Sequence, residues 1–314
     1  MLTFSIRRVL AGVAVFFAVT ALTFLLFYSR GGFAIAANLL EESSTSEQIQ
    51  AKAEAMGLNR PLPVQYLDWV SGVPFGDLGT SFTSGHDVAG ILSNRIPVTL
   101  SLVVVSLVLT IILSLALGVG AATLGGPVDR GLQALTILVR AIPGYWLALV
   151  LVIVFSLSLR LLPATGYVPI SQSFTGWLGS VILPSIAIAI GNVAAVGAQI
   201  RGAMLDVLRQ DYIRTLRSRG ISSAAITFRH ALRNAAPAGL TILSLEVIGT
   251  LGGAIIVERI FALPGLGQLT MMSGTAGDIP VVLGVVTFMV VVVVVVNLMV
   301  DLLNGLITPK ARER

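Results

Sequence analysis

Residues 97–124 read PVTLSLVVVSLVLTIILSLALGVGAATL, without a single Asp, Glu, Lys or Arg. The hydrocarbon core of a bilayer is about 30 Å thick, and an α-helix needs about 20 mainly apolar residues to cross it. The stretch therefore predicts a transmembrane helix. Its polar residues do not alternate with the apolar ones, so the strand of a transmembrane barrel is not favoured.

The rest of the chain has the same character. Of its 314 residues, 55% are hydrophobic and 11% are charged, whereas a typical soluble domain has about 25% charged residues. Including residues 97–124, six spans are predicted: 9–28, 97–124, 142–159, 181–200, 237–257 and 281–306. The expected fold class is an all-α integral membrane protein with about six transmembrane helices.

The first span has an alternative interpretation as a secretory signal peptide. Arg7 and Arg8 precede it, and Ala34-Ile35-Ala36 is similar to a small-residue cleavage site. The apolar region of a signal peptide has about 7 to 15 residues, and this one is longer. We therefore expect an uncleaved membrane anchor.

The basic residues indicate how the chain is oriented. If the amino terminus is cytoplasmic, segments 1–8, 125–141, 201–236 and 307–314 face inside and contain 14 of the 20 Lys and Arg residues. An excess of Lys and Arg in cytoplasmic loops is the usual determinant of topology. Both termini are therefore predicted to be cytoplasmic. Orientation also explains the net charge of +5, so nucleic acid is not expected as a partner.

Between the first two spans lies the longest polar segment, residues 30–95, on the predicted outer side. Glycine and proline interrupt it repeatedly, at Gly57, Pro61, Pro63, Pro74 and Gly76. Such residues favour turns. Short helices joined by turns are expected here.

Segment 201–236 is the longest basic segment on the predicted inner side. Its pattern predicts a two-helix elbow, in which Gly220 ends one short helix in a left-handed conformation and Ser222 or Ser223 caps the next. Such an elbow offers a protruding surface to another protein. A basic loop lying on anionic lipid headgroups is the alternative, and composition alone does not decide between them.

A few polar side chains fall inside the predicted spans, where they are costly and usually face a partner or a wet cavity. Asn192, Gln199 and Glu246 are candidates for a translocation pathway, and Glu246 is expected near mid-membrane. A hydrogen bond to a neighbouring helix or subunit is the alternative for Glu246. Arg140 and Asp301 are expected at the membrane surface. Close packing between helices is expected at Gly249, Gly252 and Gly253.

Several classes of chemistry are disfavoured. The chain has no cysteine and only two histidines, His86 and His230, which are predicted on opposite sides of the membrane. It has no Gly-x-x-x-x-Gly-Lys-Ser/Thr phosphate-binding loop. We therefore expect neither an enzyme nor a bound metal or cofactor.

Several strings resemble the dipeptide and oligopeptide (peptide/nickel) family of ATP-binding-cassette (ABC) importer permeases, in the first of its two paired types. They cover nearly the whole chain: LNRPLPVQY at 58–66, GDLGTS at 76–81, QDYIRTLRSRG at 210–220, RHALRN at 229–234, VERIF at 257–261, PGLG at 264–267 and DIPVV at 278–282. The ending at 297–303 with Pro309 is also similar. Two positions differ from the family pattern: Leu216 replaces a common alanine, and Glu246 replaces a common glutamine.

The resemblance implies a type I importer permease in the bacterial cytoplasmic (inner) membrane. Its implied partners are a second homologous permease, two cytoplasmic ATPase subunits that bind ATP and Mg, and an extracytoplasmic substrate-binding protein. The implied contact with an ATPase is the coupling loop at about 201–236, and the residues expected to make it are Thr215, Leu216, Arg217, Ser218, Gly220, Ile221, Ala224 and Ile226.

Organisation and substrate follow as expectations. Residues 1–95 are expected to form a helix with an external segment, 96–309 the permease core and 310–314 a cytoplasmic tail. Peptides are the expected cargo, with nickel chelates or glutathione as alternatives within the same class. A secondary transporter driven by an ion gradient, and a membrane anchor or receptor subunit without transport, are the alternatives from other classes.

Overall fold

The computed structural model describes residues 2–40 and 43–307, so Pro309 and the predicted tail lie outside the described residues. The described chain is helical, and its α-helices are α1 Leu2–Tyr28, α2 Gly32–Asn38, α3 Ser46–Ala55, α4 Leu62–Gly72, α5 Val88–Leu124, α6 Gly126–Ala141, α7 Gly144–Leu151, α8 Phe174–Leu208, α9 Asp211–Ser218, α10 Ser223–Ala225, α11 Leu232–Ile260, α12 Leu266–Ala276 and α13 Ile279–Ile307. A π-helical segment, Val152–Ser158, extends α7, and another, Ile226–Ala231, joins α10 to α11. The all-α prediction is confirmed.

Five helices in the described ranges are long and apolar enough to cross a membrane, and a sixth span arises if the bent pair α6 and α7 is one span. The predicted span at 142–159 corresponds to the second half of this pair, which begins after Pro143. The helices that contain the spans predicted at 97–124 and 237–257 begin earlier than these apolar stretches, so Pro97 and Pro237 lie inside longer helices. Transmembrane helices tolerate an internal proline when neighbouring groups satisfy the freed carbonyl.

The chain divides into two compact units. The first contains Thr99–Leu263 and the described residues at 2–5 and from 295 onward. Its core lies between α5, α8 and α11, where Ile200, Met204, Ala235 and other residues are buried together. Gly118 makes this packing close: an added Cβ would lie 2.8 Å from the carbonyl oxygen of Gly197.

The second unit contains Ile6–Val98 and Pro264–Val294. Its segment between the first two long helices, predicted as short helices and turns, contains α2, α3 and α4, and Thr45 caps α3 in a capping box with Gln48. One core groups Phe24, Ile35, Ala36, Leu283 and other residues, and a second surrounds Val88. Apolar packing thus ties these short helices to the long helices of this unit.

Candidate functional site: the elbow and a polar pair between helices

The elbow lies between α8 and α11 and is built as its sequence predicts. Gly220 has φ of 75°, and its N–H donates to the carbonyl of Arg217 at 3.0 Å. The N–H of Ile221 donates to the carbonyl of Leu216 at 3.1 Å. Together these bonds form the Schellman ending of α9, a turn that favours glycine at the left-handed residue.

Ser222 begins the second arm. Its hydroxyl accepts a hydrogen bond from the N–H of Ala225 at 3.3 Å, an N-cap. The second arm differs from the prediction in one respect, since it is not a separate helix. It continues through the π-helical segment into α11, and together they form one of the helices that are long and apolar enough to cross a membrane. The elbow is therefore directly continuous with a candidate membrane-spanning helix.

Most of the predicted coupling residues are at the surface. Thr215, Arg217, Ser218, Gly220, Ile221 and Ala224 are exposed and Leu216 is half-buried. Ile226 is buried, 3% exposed, and faces the interior of its own unit. Six of the eight predicted coupling residues are therefore exposed, whereas Ile226 is packed inside its unit.

Sequence reasoning missed three features of the elbow. Ile213 is fully buried and anchors the first arm as Ile226 anchors the second. Phe228 is 63% exposed, and an aromatic residue within a basic segment was the available signal. The side-chain amide of Asn234 donates to the Tyr212 hydroxyl at 2.9 Å. This bond joins α9 to α11 across the turn.

An ion pair forms a further link at the start of the elbow. Arg201 near the end of α8 pairs with Asp129 in the first turn of α6, through Nε to Oδ1 and through Nη2 to Oδ2, the latter at 2.7 Å. Both side chains are about a quarter exposed. A bidentate guanidinium–carboxylate pair fixes orientation as well as distance, so it holds α6 against α8.

The predicted pathway residues lie on facing helices. Nδ2 of Asn192 on α8 donates to Oγ1 of Thr250 on α11 at 2.8 Å. Both residues line a cavity of about 360 Å³ within the first unit. Its other described lining residues carry no charge: Val139, Ile142, Gly144, Tyr145, Leu147, Ala187, Ile188, Ile190, Gly191, Gly249, Gly253, Ile256 and Val257.

Glu246 and Gln199 extend this polar pair along the same helix faces. Glu246 is four residues before Thr250 and Gln199 is seven residues after Asn192, the spacings that return a side chain to one face of an α-helix. Glu246 is half-buried and Gln199 is exposed. Helical spacing thus puts Glu246 on the face of α11 that carries Thr250, and Gln199 on the face of α8 that carries Asn192.

The expected close packing at Gly249, Gly252 and Gly253 is not found. A Cβ added at any of the three meets no described atom within 4 Å. Gly249 and Gly253 instead widen the cavity, because they leave open space opposite α8. The close helix contacts of this unit occur at glycines that the sequence did not single out, Gly118 and Gly239.

No metal site is found among the described residues, since no three His, Cys, Asp or Glu side chains come together there.

Comparison with known proteins defines the class of this chain as the membrane subunit of an importer. The family described as "Binding-protein-dependent transport system inner membrane component" matches residues 114–313, and the family for the N-terminal part of such membrane components matches residues 1–103. The chain belongs to this family of multi-pass membrane permeases of ABC importers. The predicted resemblance is confirmed.

Individual relatives agree with this assignment. The chain is 36% identical over 308 residues to a Brucella abortus (strain 2308) protein whose name describes a peptide transport system permease, covering 98% of each chain. It is 34% identical to the oligopeptide transport system permease AppB of Bacillus subtilis (strain 168), covering 99% of each chain. A solved structure of the MetNI methionine ABC transporter in inward-facing conformations matches with a TM-score of 0.56 at 18% identity, covering 69% of this chain and 96% of that one. This last match supports the fold alone.

Proposed function

We propose that this permease carries peptides across the bacterial cytoplasmic membrane as one half of a translocation pathway. The names of the two relatives support peptides as the cargo. A second, homologous permease completes the pathway, and an extracytoplasmic substrate-binding protein delivers the cargo. ATP and Mg are bound and ATP is hydrolysed in two cytoplasmic ATPase subunits, whereas this chain holds no cofactor.

The elbow is the proposed coupling surface, and its geometry is the observation that carries the proposal. The elbow presents exposed residues and the half-buried Leu216 on a turn whose second arm is anchored by the buried Ile226; the exposed residues are Thr215, Arg217, Ser218, Gly220, Ile221 and Ala224. Because the second arm is continuous with α11, closure of the ATPases moves a membrane-spanning helix as a rigid body. The nucleotide thereby shifts the population between two access states.

The proposed orientation puts both termini and the elbow in the cytoplasm. Exposed arginines on both arms of the elbow, Arg214, Arg217, Arg219 and Arg229, support it through the positive-inside rule. In this orientation 1–95 supplies the anchor helix with an external segment, 96–309 the permease core and 310–314 a tail.

The faces of α8 and α11 that carry Asn192, Gln199, Glu246 and Thr250 form the proposed pathway surface. Uncharged walls and isolated polar groups allow a peptide backbone to exchange hydrogen bonds without binding so tightly that it cannot leave. The cavity of about 360 Å³ beside Asn192 is the proposed entry to this surface.

Purification from the native membrane in mild detergent, with mass spectrometry of the co-purifying proteins, is the first test. A second six-span permease with ATPase subunits is the expected result. Reconstitution of that complex with its binding protein then measures ATP-dependent uptake of labelled peptides, nickel chelates and glutathione in parallel. Uptake of nickel chelates or glutathione without uptake of peptides would refute the proposal that the cargo is a peptide. A chain that purifies alone and takes up solute when an ion gradient is applied would refute the proposal that ATP hydrolysis in partner subunits drives transport.

A further inference from the structure

A cavity of about 240 Å³ lies in the second unit, where the end of α1 packs against the segment that precedes α5. Four aromatic side chains line it: Phe24, Tyr28, Trp69 and Phe82. It shares no lining residue with the cavity beside Asn192. Its volume is below the about 300–1,000 Å³ of pockets for drug-sized ligands, so it suits a smaller molecule.

The hydroxyl of Tyr28 is the buried polar group of this cavity. Tyr28 is 9% exposed, and its hydroxyl hydrogen-bonds none of the described residues. By contrast, the Tyr66 hydroxyl bonds Oγ1 of Thr20 at 2.9 Å, and Nε1 of Trp69 donates to a backbone carbonyl at 3.3 Å. Buried polar groups in proteins are nearly always paired. The Tyr28 hydroxyl is therefore positioned to bond a molecule in the cavity.

Charged groups of both signs accompany this hydroxyl. Nη2 of Arg60 donates to Oδ2 of Asp68, and both residues line the cavity. This bond leaves Oδ1 of Asp68 and the other guanidinium N–H groups outside it. Asp278 lies close enough to Tyr28 to act on it electrostatically, while its oxygens accept hydrogen bonds from residues 81–83. Negative charge thus lies beside the hydroxyl, with one guanidinium at the rim.

We propose that this cavity binds a small zwitterion whose ammonium and anionic oxygen are only a few bonds apart. The ammonium donates to the Tyr28 hydroxyl and to the Asp68 carboxylate, beside aromatic rings that attract cations. The anionic oxygen accepts from the Arg60 guanidinium in a charge-assisted bond. A free α-amino acid and the ethanolamine phosphate headgroup of a phospholipid both have this chemistry.

The contact between Arg60 and Asp68 restricts the ligand. A molecule that binds both side chains must carry its two charges close together. An extended chain spans up to about 3.5 Å per residue, so the charged ends of a tripeptide lie about 10 Å apart and do not fit. The site is therefore separate from the proposed peptide pathway, and the inference does not rest on the proposed function.

The test is isothermal titration calorimetry on the full chain, purified in mild detergent with its co-purifying subunits. Alanine and phosphoethanolamine are the probes, N-acetylalanine lacks the ammonium, and alanine amide lacks the carboxylate. Tyr28→Phe removes only the hydroxyl. Its matched control is Tyr66→Phe, the same change at a tyrosine outside the described cavity lining. Asp68→Asn removes the charge and keeps the shape, with Glu54→Gln as its control on an exposed face of α3.

We expect at least one zwitterion to bind the parent, and both blocked alanine compounds to bind at least tenfold more weakly. Tyr28→Phe and Asp68→Asn should each raise Kd about tenfold, because each removes a hydrogen bond to a charged group. Tyr66→Phe and Glu54→Gln should stay within twofold of the parent. Size-exclusion chromatography and thermal unfolding verify the assembly of every variant.

The two sources of the ligand are separated by the probes. Alanine binding identifies a free amino acid. Phosphoethanolamine binding that is lost in nanodiscs of phosphatidylethanolamine, but kept in nanodiscs of phosphatidylglycerol, identifies the lipid headgroup. The end of a membrane span lies at the level of the headgroups, and Tyr28 ends the candidate span Ile6–Tyr28, so a headgroup can reach the cavity.

Four results would overturn the inference. They are the failure of both zwitterions to bind the parent, equal binding of the blocked compounds, an unchanged Kd in Tyr28→Phe, and an equal loss in Tyr28→Phe and Tyr66→Phe. The last result would mean that altered packing, rather than a lost contact with the ligand, causes the weaker binding.

Discussion

The carboxylate of Asp278 accepts a hydrogen bond from the hydroxyl of Ser81 at 2.5 Å, although 197 positions separate the two residues. Asp278 also accepts from the backbone N–H of Phe82 at 2.9 Å and the hydroxyl of Thr83 at 2.7 Å. Asp278 is 3% exposed and directly precedes α13. One buried carboxylate thus fastens residues 81–83, which lie between α4 and α5, to the start of α13 in this unit.

Replacing this carboxylate is expected to loosen the external segment. Asp278→Ala removes the acceptor shared by the buried hydroxyl of Ser81, the half-buried N–H of Phe82 and the exposed hydroxyl of Thr83, and such a loss costs about 1–3 kcal/mol. The midpoint of thermal unfolding in detergent should fall, and protease should cut between residues 76 and 88 faster. Ser81→Ala removes one donor and should have a smaller effect; equal effects would contradict a central role for Asp278.

Substitution of Gly220 tests the elbow. Gly220 has open space around its Cα, so the only penalty for a larger residue is its left-handed backbone, about 1–2 kcal/mol. Gly220→Val should allow ATP hydrolysis but reduce coupled uptake severalfold, and Gly220→Asn should be milder, since Asn tolerates this conformation.

Gly202 provides the matched control for Gly220. It also has open space, but it lies within α8, where Gly→Ala is neutral or slightly stabilising. Gly202→Ala should therefore transport normally, while Gly220→Ala is impaired. Normal coupled transport in Gly220→Val would refute the elbow as the coupling element.

The bond between Tyr212 and Asn234 should contribute to coupling. It joins the first arm of the elbow to α11, and its residues are exposed, so its net contribution is about 0.5–1 kcal/mol. A double-mutant cycle with Tyr212→Phe and Asn234→Ala, scored by transport per ATP hydrolysed, should show a non-additive effect. Strict additivity would mean that the bond does not transmit motion.

Glu258 provides a stability test inside the first unit. Its carboxylate is fully buried and accepts from Oγ1 of Thr99 at 2.6 Å. Thr99→Val keeps the shape but removes this donor from a buried acceptor, at a cost of about 1–3 kcal/mol. Thr110→Val is the control, because the Thr110 hydroxyl bonds only the carbonyl of Ser106 in its own helix. Equal shifts in unfolding temperature for the two variants would contradict a special role for the Thr99–Glu258 bond.

The features of the site that the sequence predicted are those that depend on residues close together in the chain. The left-handed Gly220 and the cap at Ser222 were predicted because a helix ending and a helix start depend on a few adjacent residues. The bond from Asn234 to Tyr212 was missed because it joins positions 22 apart, and no periodicity reports which side chains will meet. The exposure of Phe228 was missed for the same reason.

By itself, the sequence determined the approximate spans, their number within one, the short helices and turns between the first two spans, and the elbow. Hydropathy, basic-residue bias and capping act over one helix or one turn, so they can be evaluated without knowing the neighbours. Tertiary structure alone decided that Asp278 meets Ser81, that Thr99 meets Glu258 and that Asn192 meets Thr250. It also decided that Gly118, rather than Gly249, lies at a close contact. These outcomes depend on how helices rotate and approach each other, because a polar group inside a membrane protein is stable only where packing supplies its partner.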